Sequence, residues 1–321
     1  MAYIYAFFMS LAITLISIPL LVKLAEKKDF VDKPTQRKKH KKAVPLIGGL
    51  AMFIGFSVTF MFTMATSDEL SFADNRMIAI LIGGLLILSI GLVDDIYKTK
   101  GLEFAIFPRV FIQLLAASII FFADIRFTGF MNPISDTFIV FPIWLQYILT
   151  VMWIFGLTTV INFTDGLDGL AGSLCAISAT TLFIVALYMG QPDSALITIA
   201  LLGACVGFLR YNLFPAKIFM GDSGANFLGY MLAVISLYGT FKQATVISVF
   251  IPVLALGVPI FDNIFVIFKR MKERKPIYQA DSSQIHYRLL NKGLNPAQVV
   301  AFLFLLSVCL NLTSIIILIL H

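Results

Sequence analysis

Five aspartates fall in three short polar stretches between long apolar ones: Asp94 and Asp95 in GLVDDIYKTKG, Asp165 and Asp168 in NFTDGLDGLAG, and Asp222 in FMGDSGA. An acidic side chain at the edge of an apolar segment is costly unless it is hydrated, paired or metal-bound. A single Asp there is readily a helix cap, and Asp222-Ser223 fits that role. The set as a whole does not, because two members are adjacent. Neighbouring carboxylates both ionise only with a cation at hand or with a raised pKa. Oxygen-only donor sets suit Mg²⁺, which keeps waters and completes its shell with substrate phosphates. Glycines flank the acids at Gly166, Gly169 and Gly172, and again at Gly221 and Gly224. Glycine lets backbone approach a ligand closely, and a following helix start offers free N–H groups to phosphate. Together these features point to a Mg²⁺–diphosphate site.

Basic residues supply the complement. Lys33, Arg37, Lys38, Lys39, His40, Lys41 and Lys42 crowd one stretch ahead of Pro45 and Gly48-Gly49. Most of these lysines serve equally well as orientation signals or headgroup contacts; Arg37 and His40 are the candidates for phosphate. Lys98 and Lys100 follow the acidic pair. In ADSSQIHYRLL, His286 stands two residues before Arg288. An exposed loop histidine is often idle, but beside an Arg it suits a nucleotide or phosphate contact.

The elements that must position these groups are written in the composition. Of 321 residues, 59% are hydrophobic and 13% charged, with a mean hydropathy of +0.93. So few charges cannot keep so much apolar surface in water, which excludes a soluble enzyme, a disordered chain, collagen and a disulfide scaffold. Cys175, Cys205 and Cys309 all sit in apolar runs, so neither a disulfide framework nor a CxxC metal site is available. A bilayer core takes about 20 residues as helix. Ten runs qualify, at 3–25, 44–65, 77–93, 108–123, 142–161, 172–190, 195–211, 225–241, 245–268 and 297–320. The chain therefore reads as an all-α polytopic membrane protein of ten transmembrane helices, with residues 1–321 as one domain. Of the 24 Lys and Arg, 20 fall in alternate gaps together with all five aspartates. The positive-inside rule makes those gaps cytoplasmic and puts both termini outside. It also gives the net charge of +6 a membrane meaning, with no nucleic acid as partner. The first run lacks a basic start and a cleavage site, and reads as a retained span. The outer gap 124–141 suggests a small hairpin around Asn132-Pro133. Gly203 and Gly207 form a GxxxG suited to close helix packing.

At these residues the sequence resembles the polyprenyl-phosphate N-acetylhexosamine-1-phosphate transferases. The matches run in order through DKPTQRKKHKKAVPLIGG, GLVDDIYKTKG, NFTDGLDGLAG, YNLFPAKIFMGDSGANFLG, VPIFD and ADSSQIHYRLL, most like the branch that uses UDP-GlcNAc and starts teichoic acid or other surface polysaccharides. The resemblance implies ten spans in a bacterial cytoplasmic membrane and a cytoplasmic-face site. It implies Mg²⁺-dependent transfer of HexNAc-1-phosphate from a UDP-sugar to undecaprenyl phosphate, releasing UMP, with Mn²⁺ as a substitute metal and a homodimer as the assembly. By this resemblance Asp222 is a metal ligand and Asn162 a second metal or diphosphate ligand. Asp94 and Asp95 match the catalytic acidic pair, and Asp165, Asp168 and Asn212 line the nucleotide-sugar pocket. The family's last motif reads His-Ile-His-His-Arg-Leu where this chain has Gln284-Ile285-His286-Tyr287-Arg288-Leu289, a departure in the loop that helps hold the nucleotide sugar. Two other readings compete. A transporter needs ionisable residues deep in helices, and only Asp262 qualifies. An inactive paralogue rests on the altered histidines alone.

Overall fold

The computed structural model describes residues 1–33, 43–67, 69–132, 135, 137–239, 246–274 and 283–320. Every apolar run falls on helix: α1 (Ala2–Lys27), α2 (Gly48–Thr66), α3 (Asn75–Thr99), α4 (Ile106–Phe122), α5 (Ile143–Thr164), α6 (Leu170–Tyr188), α7 (Pro192–Asn212), α8 (Gly221–Tyr238), α9 (Val246–Ala255), α10 (Gly257–Lys272), then the short α11 (Ile285–Asn291) and α12 (Pro296–Leu320). Among the described residues α1, α2, α3, α5, α6, α7 and α12 are long and apolar enough to cross a membrane, and α4 is a shorter apolar helix. The chain is a mostly helical, multi-pass membrane protein.

Helix α8 is the centre of the bundle. Every residue from Ser223 to Tyr238 is buried, because α2, α3, α5, α6 and α7 surround it; a helix apolar on all sides belongs in such a position. The GxxxG of α7 is used within the chain. A methyl at Gly203 would strike the Phe7 carbonyl, and one at Gly207 would meet Thr14 and the Leu11 carbonyl, so these glycines let α1 lie directly on α7.

The run 245–268, expected as one span, is two helices broken at Leu256. Pro259 has no N–H to offer the Ala255 carbonyl one turn back. That carbonyl instead accepts from Ser178 Oγ at 2.6 Å and Asn311 Nδ2 at 3.1 Å, while Ser314 Oγ donates to the Ile251 carbonyl at 3.2 Å. Inside an apolar bundle an unsatisfied backbone group costs several kcal/mol, so polar side chains of α6 and α12 make the break tenable.

Two small ribbons amend the all-α expectation. β1 (Val31–Asp32) pairs antiparallel with β2 (Val44–Pro45), holding the two ends of the basic stretch together. The hairpin expected at 124–141 is present as β3 (Gly129–Met131) against β4 (Phe138–Val140), with Phe130 opposite Ile139.

Candidate active site

Helices α3 and α8 meet where the acidic motifs converge. Asp94 and Asp95 do not follow α3 as a loop would; they lie in its last turns, and both are buried. Successive helical residues point about 100° apart, and the pair divides accordingly. Asp95 faces α8. Its carboxylate accepts the Asp222 N–H at 2.8 Å, the Ser223 N–H at 3.1 Å and the Ser223 hydroxyl at 2.7 Å. Those are free donors of a helix start, so a residue 127 positions away in sequence caps α8. Gly221, at φ +71°, makes the sharp entry into that helix, a left-handed conformation suited to glycine.

Asp94 faces cations instead. Arg109 Nη2 stands 3.0 Å from each of its oxygens and donates to Oδ1; Oδ2 is buried and accepts no hydrogen bond. Lys98, one turn on from Asp94, places its ammonium 3.8 Å from that carboxylate and 2.6 Å from Asp222. The adjacent carboxylates are therefore balanced by two side-chain cations and a helix N-terminus. Among the described residues no three His, Cys, Asp or Glu converge as a ready-made metal cage. The orphaned Asp94 Oδ2 beside Asp222 is an open oxygen donor set, which fits a hard cation that takes one or two carboxylates and leaves the rest of its shell to water and phosphate.

The Gly-rich turn between α5 and α6 supplies the next wall. Asp165 caps the C-terminal end of α5, is half-buried, and its carboxylate has no hydrogen-bond partner among the described residues. Burial, then the negative charges of Asp222 and Asp95, push its pKa up to about 7. Asn162, one turn earlier on α5, is half-buried with a side-chain amide that is also unpartnered there. Asp168 and Asn212 are differently placed. Asp168 accepts the Ala216 N–H at 3.0 Å, and Asn212 both accepts the Gly169 N–H and donates to the Ile218 carbonyl, each at 2.9 Å. Asn212 thereby ties α7, the Gly-rich turn and the PAKIF loop together in a buried knot.

That loop also pairs with the start of α2. Phe219 N–H donates to the Pro45 carbonyl at 2.9 Å, and Gly48 and Gly49 N–H donate to Phe219 and Met220 at 3.0 Å. β2 thus runs beside the loop leading into Asp222. Arg37 and His40 lie outside the described residues.

From the far end of the chain, α11 closes on the same turn. His286 is buried, its imidazole so close over Gly166 that no Cβ would fit there. Burial lowers its pKa to about 4, so it is neutral at pH 7, and Nε2 is buried without a hydrogen-bond partner. Gln284 donates to the Phe163 carbonyl at 3.0 Å. Asp262 accepts the Ile285 N–H at 2.8 and 3.0 Å. Arg288 reaches Asp262 at 3.4 Å and lies 4.1 Å over the Phe265 ring. Arg288 thereby holds α11 on α10.

Residues 77–240, which carry Asp94, Asp95, Asn162, Asp165, Asp168, Asn212 and Asp222, match the family model described as glycosyl transferase family 4. The chain belongs to that family. A probable undecaprenyl-phosphate N-acetylglucosaminyl 1-phosphate transferase of Bacillus subtilis (strain 168) is 37% identical over 98% of this chain and 84% of its own. A decaprenyl-phosphate N-acetylglucosaminephosphotransferase of Mycobacterium tuberculosis (strain ATCC 25618 / H37Rv) is 32% identical over 88% of this chain and 74% of its own. A phospho-N-acetylmuramoyl-pentapeptide-transferase of Listeria monocytogenes serotype 4b (strain F2365) is 31% identical over 72% and 73%. Within this family 4 chain, sequence reasoning passed over Arg109. The signal was there: a lone Arg at the start of an apolar helix needs an acid, and Asp94 is that acid.

Proposed function

We propose that this chain transfers N-acetylglucosamine-1-phosphate from UDP-GlcNAc to undecaprenyl phosphate, releasing UMP, as the first membrane step of a surface polysaccharide such as teichoic acid. We further propose ten spans of the bacterial cytoplasmic membrane, termini outside and carboxylates facing the cytoplasm, as the distribution of Lys and Arg favours. The observation that carries the reading is the juxtaposition of Asp94, Lys98, Arg109 and Asp222 at one end of the bundle. There a lipid phosphate held at the membrane edge can meet a water-borne nucleotide.

An oxygen of the lipid phosphate attacks the phosphorus that carries the sugar. The new P–O bond closes the lipid diphosphate as the bond to the UMP phosphate breaks, and UMP leaves with that electron pair. The attacking phosphate is already anionic, so the residues have to position and neutralise rather than remove a proton. Asp222 and Asn162 would hold Mg²⁺, with Asp94 Oδ2 as a further donor; the ion supplies charge neutralisation across the donor diphosphate. Lys98, 2.6 Å from Asp222, would pair with a phosphate of the bound diphosphate. Arg109 keeps Asp94 aimed. Pairing with two cations lowers the nucleophilicity of Asp94, which supports direct attack over a covalent carboxyl intermediate. Asp95 keeps the α8 N-terminus in register with α3. The one buried carboxylate that favoured a transporter, Asp262, has a local role in holding α11.

The test is UMP release by the detergent-purified protein with undecaprenyl phosphate and Mg²⁺, comparing UDP-GlcNAc, UDP-GalNAc and UDP-MurNAc-pentapeptide, with EDTA and Asp222→Asn controls. Metal-dependent UMP from UDP-GlcNAc is expected. Silence with all three donors from folded protein would leave the inactive-paralogue reading in its place.

A further inference from the structure

Helix α4 brings Arg109 to the site, yet it packs chiefly on α3 and α5, not on the central α8. Its outer face carries the exposed Phe107, Phe111 and Phe122, and its inner stripe is the buried Gln113, Ala116, Ala117 and Ile120. The alanines let α4 lie close to its neighbours, as small residues do between spans, but they make no directional contact. Gln113 does. Its Nε2 donates to Asn226 Oδ1 of α8 at 3.4 Å, and the two residues are only 4% and 2% exposed. Neither amide has another hydrogen-bond partner among the described residues. At that length the bond is loose. Its weight comes from what its loss leaves behind, two buried amides without a partner in an apolar bundle.

The pair sits one turn inside the charged groups on both helices. Gln113 follows Arg109 by four residues on α4, and Asn226 follows Asp222 by four on α8, so each amide shares a helix face with its charged neighbour. Arg109 stands 3.0 Å from Asp94, and Lys98 bridges Asp94 and Asp222. The amide bond therefore joins the helix that carries the guanidinium to the helix that carries the second carboxylate, about 6 Å along from both. Turning α4 by one residue position, about 100°, would take Gln113 off Asn226 and Arg109 off Asp94 in the same movement.

We propose that Gln113 and Asn226 are a positioning pair: their bond fixes the height and rotation of α4 relative to α8 and so sets Arg109 on Asp94. They act through Arg109 rather than on the reacting phosphates. The kinetic consequence rests on the transfer reaction proposed above; the coupling between Gln113 and Arg109 stands without it.

The experiment is a double-mutant cycle of Gln113→Leu and Arg109→Gln, read by thermal unfolding of the full-length protein in detergent. If the amide sets Arg109 on Asp94, both substitutions undo the same contact. The combined variant should then lose about 2 °C less than the sum of the two single losses. Should Gln113→Leu fail to fold, Gln113→Asn, one methylene too short to reach Asn226, takes its place in the cycle. UMP release is measured on the same samples. Gln113→Leu and Asn226→Leu should each lower kcat about tenfold and leave KM for the UDP-sugar within about twofold, the pattern of a displaced charge-positioning group. Gln113→Asn combined with Asn226→Gln restores the summed length and should recover more of the rate than either exchange alone. Strictly additive melting losses would overturn the proposal. So would a wild-type kcat in folded Gln113→Leu and Asn226→Leu, or an exchanged pair no faster than its single variants. A wild-type chain that releases no UMP from any donor counts against the proposed reaction, and the melting cycle then decides the positioning role by itself.

Discussion

Asp95→Asn tests whether the acidic pair is one catalytic unit or two residues with different work. In the native chain the Asp95 carboxylate takes three hydrogen bonds at the start of α8, at 2.8, 3.1 and 2.7 Å. Bonds to an ionised acceptor contribute about 1 kcal/mol more than neutral ones. Asn keeps one acceptor oxygen and turns an NH₂ toward N–H donors, so three bonds lose their charge and at least one is lost outright. That amounts to about 3–4 kcal/mol. Relief from burying a carboxylate near Asp222 returns about 1–2 kcal/mol, leaving a net loss of about 2 kcal/mol. On the usual scaling this lowers the melting temperature by roughly 4–8 °C. Asp94→Asn removes no cap but weakens the pairing with Arg109; it should lower the melting temperature by less than Asp95→Asn does while reducing turnover by at least 10²-fold, the scale of losing one charge-positioning group. The assay is thermal unfolding in detergent with UMP release on the same samples. An Asp95→Asn protein that melts like wild type would refute the capping argument, and so would an Asp94→Asn protein destabilised as much as Asp95→Asn.

Other outcomes follow from the same geometry. Asp222→Asn should lower UMP release by about 10²–10³-fold in folded protein; a near-normal rate would remove Asp222 from the metal-holding role. Because Asp165 titrates near pH 7, it is mostly protonated below that pH. Values of kcat/KM for the UDP-sugar should therefore fall toward tenfold per pH unit on the acid side of about 7. The limb should disappear in Asp165→Asn, and its survival there would assign it to another group. Gln284→Ala breaks the bond to the Phe163 carbonyl, and the loss of about 0.5–1.5 kcal/mol should raise KM for the UDP-sugar about 2–12-fold with kcat nearly unchanged. A fall in kcat alone would contradict the holding role. Gln284→His should leave melting unchanged, since a ring N–H can donate to the same carbonyl, and a shift in preference among UDP-GlcNAc, UDP-GalNAc and UDP-MurNAc-pentapeptide would mark this position as selective.

Hydropathy located the helices because the cost of leaving backbone unpaired in an apolar medium allows few alternatives. It mislocated what depends on distant partners. The apolar run 225–241 leaves out the polar Gly221-Asp222-Ser223, yet helix α8 begins at Gly221, where Asp95 caps it from α3. Around its break the stretch 245–268 is apolar, so the break was invisible to hydropathy, although Pro252 and Pro259 were in plain sight. Clustering of Asp94, Asp165 and Asp222 was legible as carboxylates recurring on one side of alternating spans. The division of labour between Asp94 and Asp95 was not, since adjacency in sequence does not reveal which face meets α8. Asn212 and Arg288 carry amide and guanidinium groups that suit phosphates and sugars, and the sequence does not show that they also hold the fold together. Their partners, the Gly169 N–H and Asp262, lie 43 and 26 residues away, and spacing alone could not find them.

The break between α9 and α10 bears on how the protein is made. The Ala255 carbonyl freed by Pro259 takes donors from Ser178 of α6, synthesised earlier, and from Asn311 of α12, synthesised last, and Ser314 of α12 adds a bond to the Ile251 carbonyl. While the chain is being threaded into the bilayer, the α9–α10 break is held by Ser178 alone until the final helix arrives. Membrane insertases and quality-control proteases would therefore meet an immature form whose weak point lies at residues 251–257. A ribosome-arrested chain ending before residue 311 should be cut there by a protease that spares the finished protein.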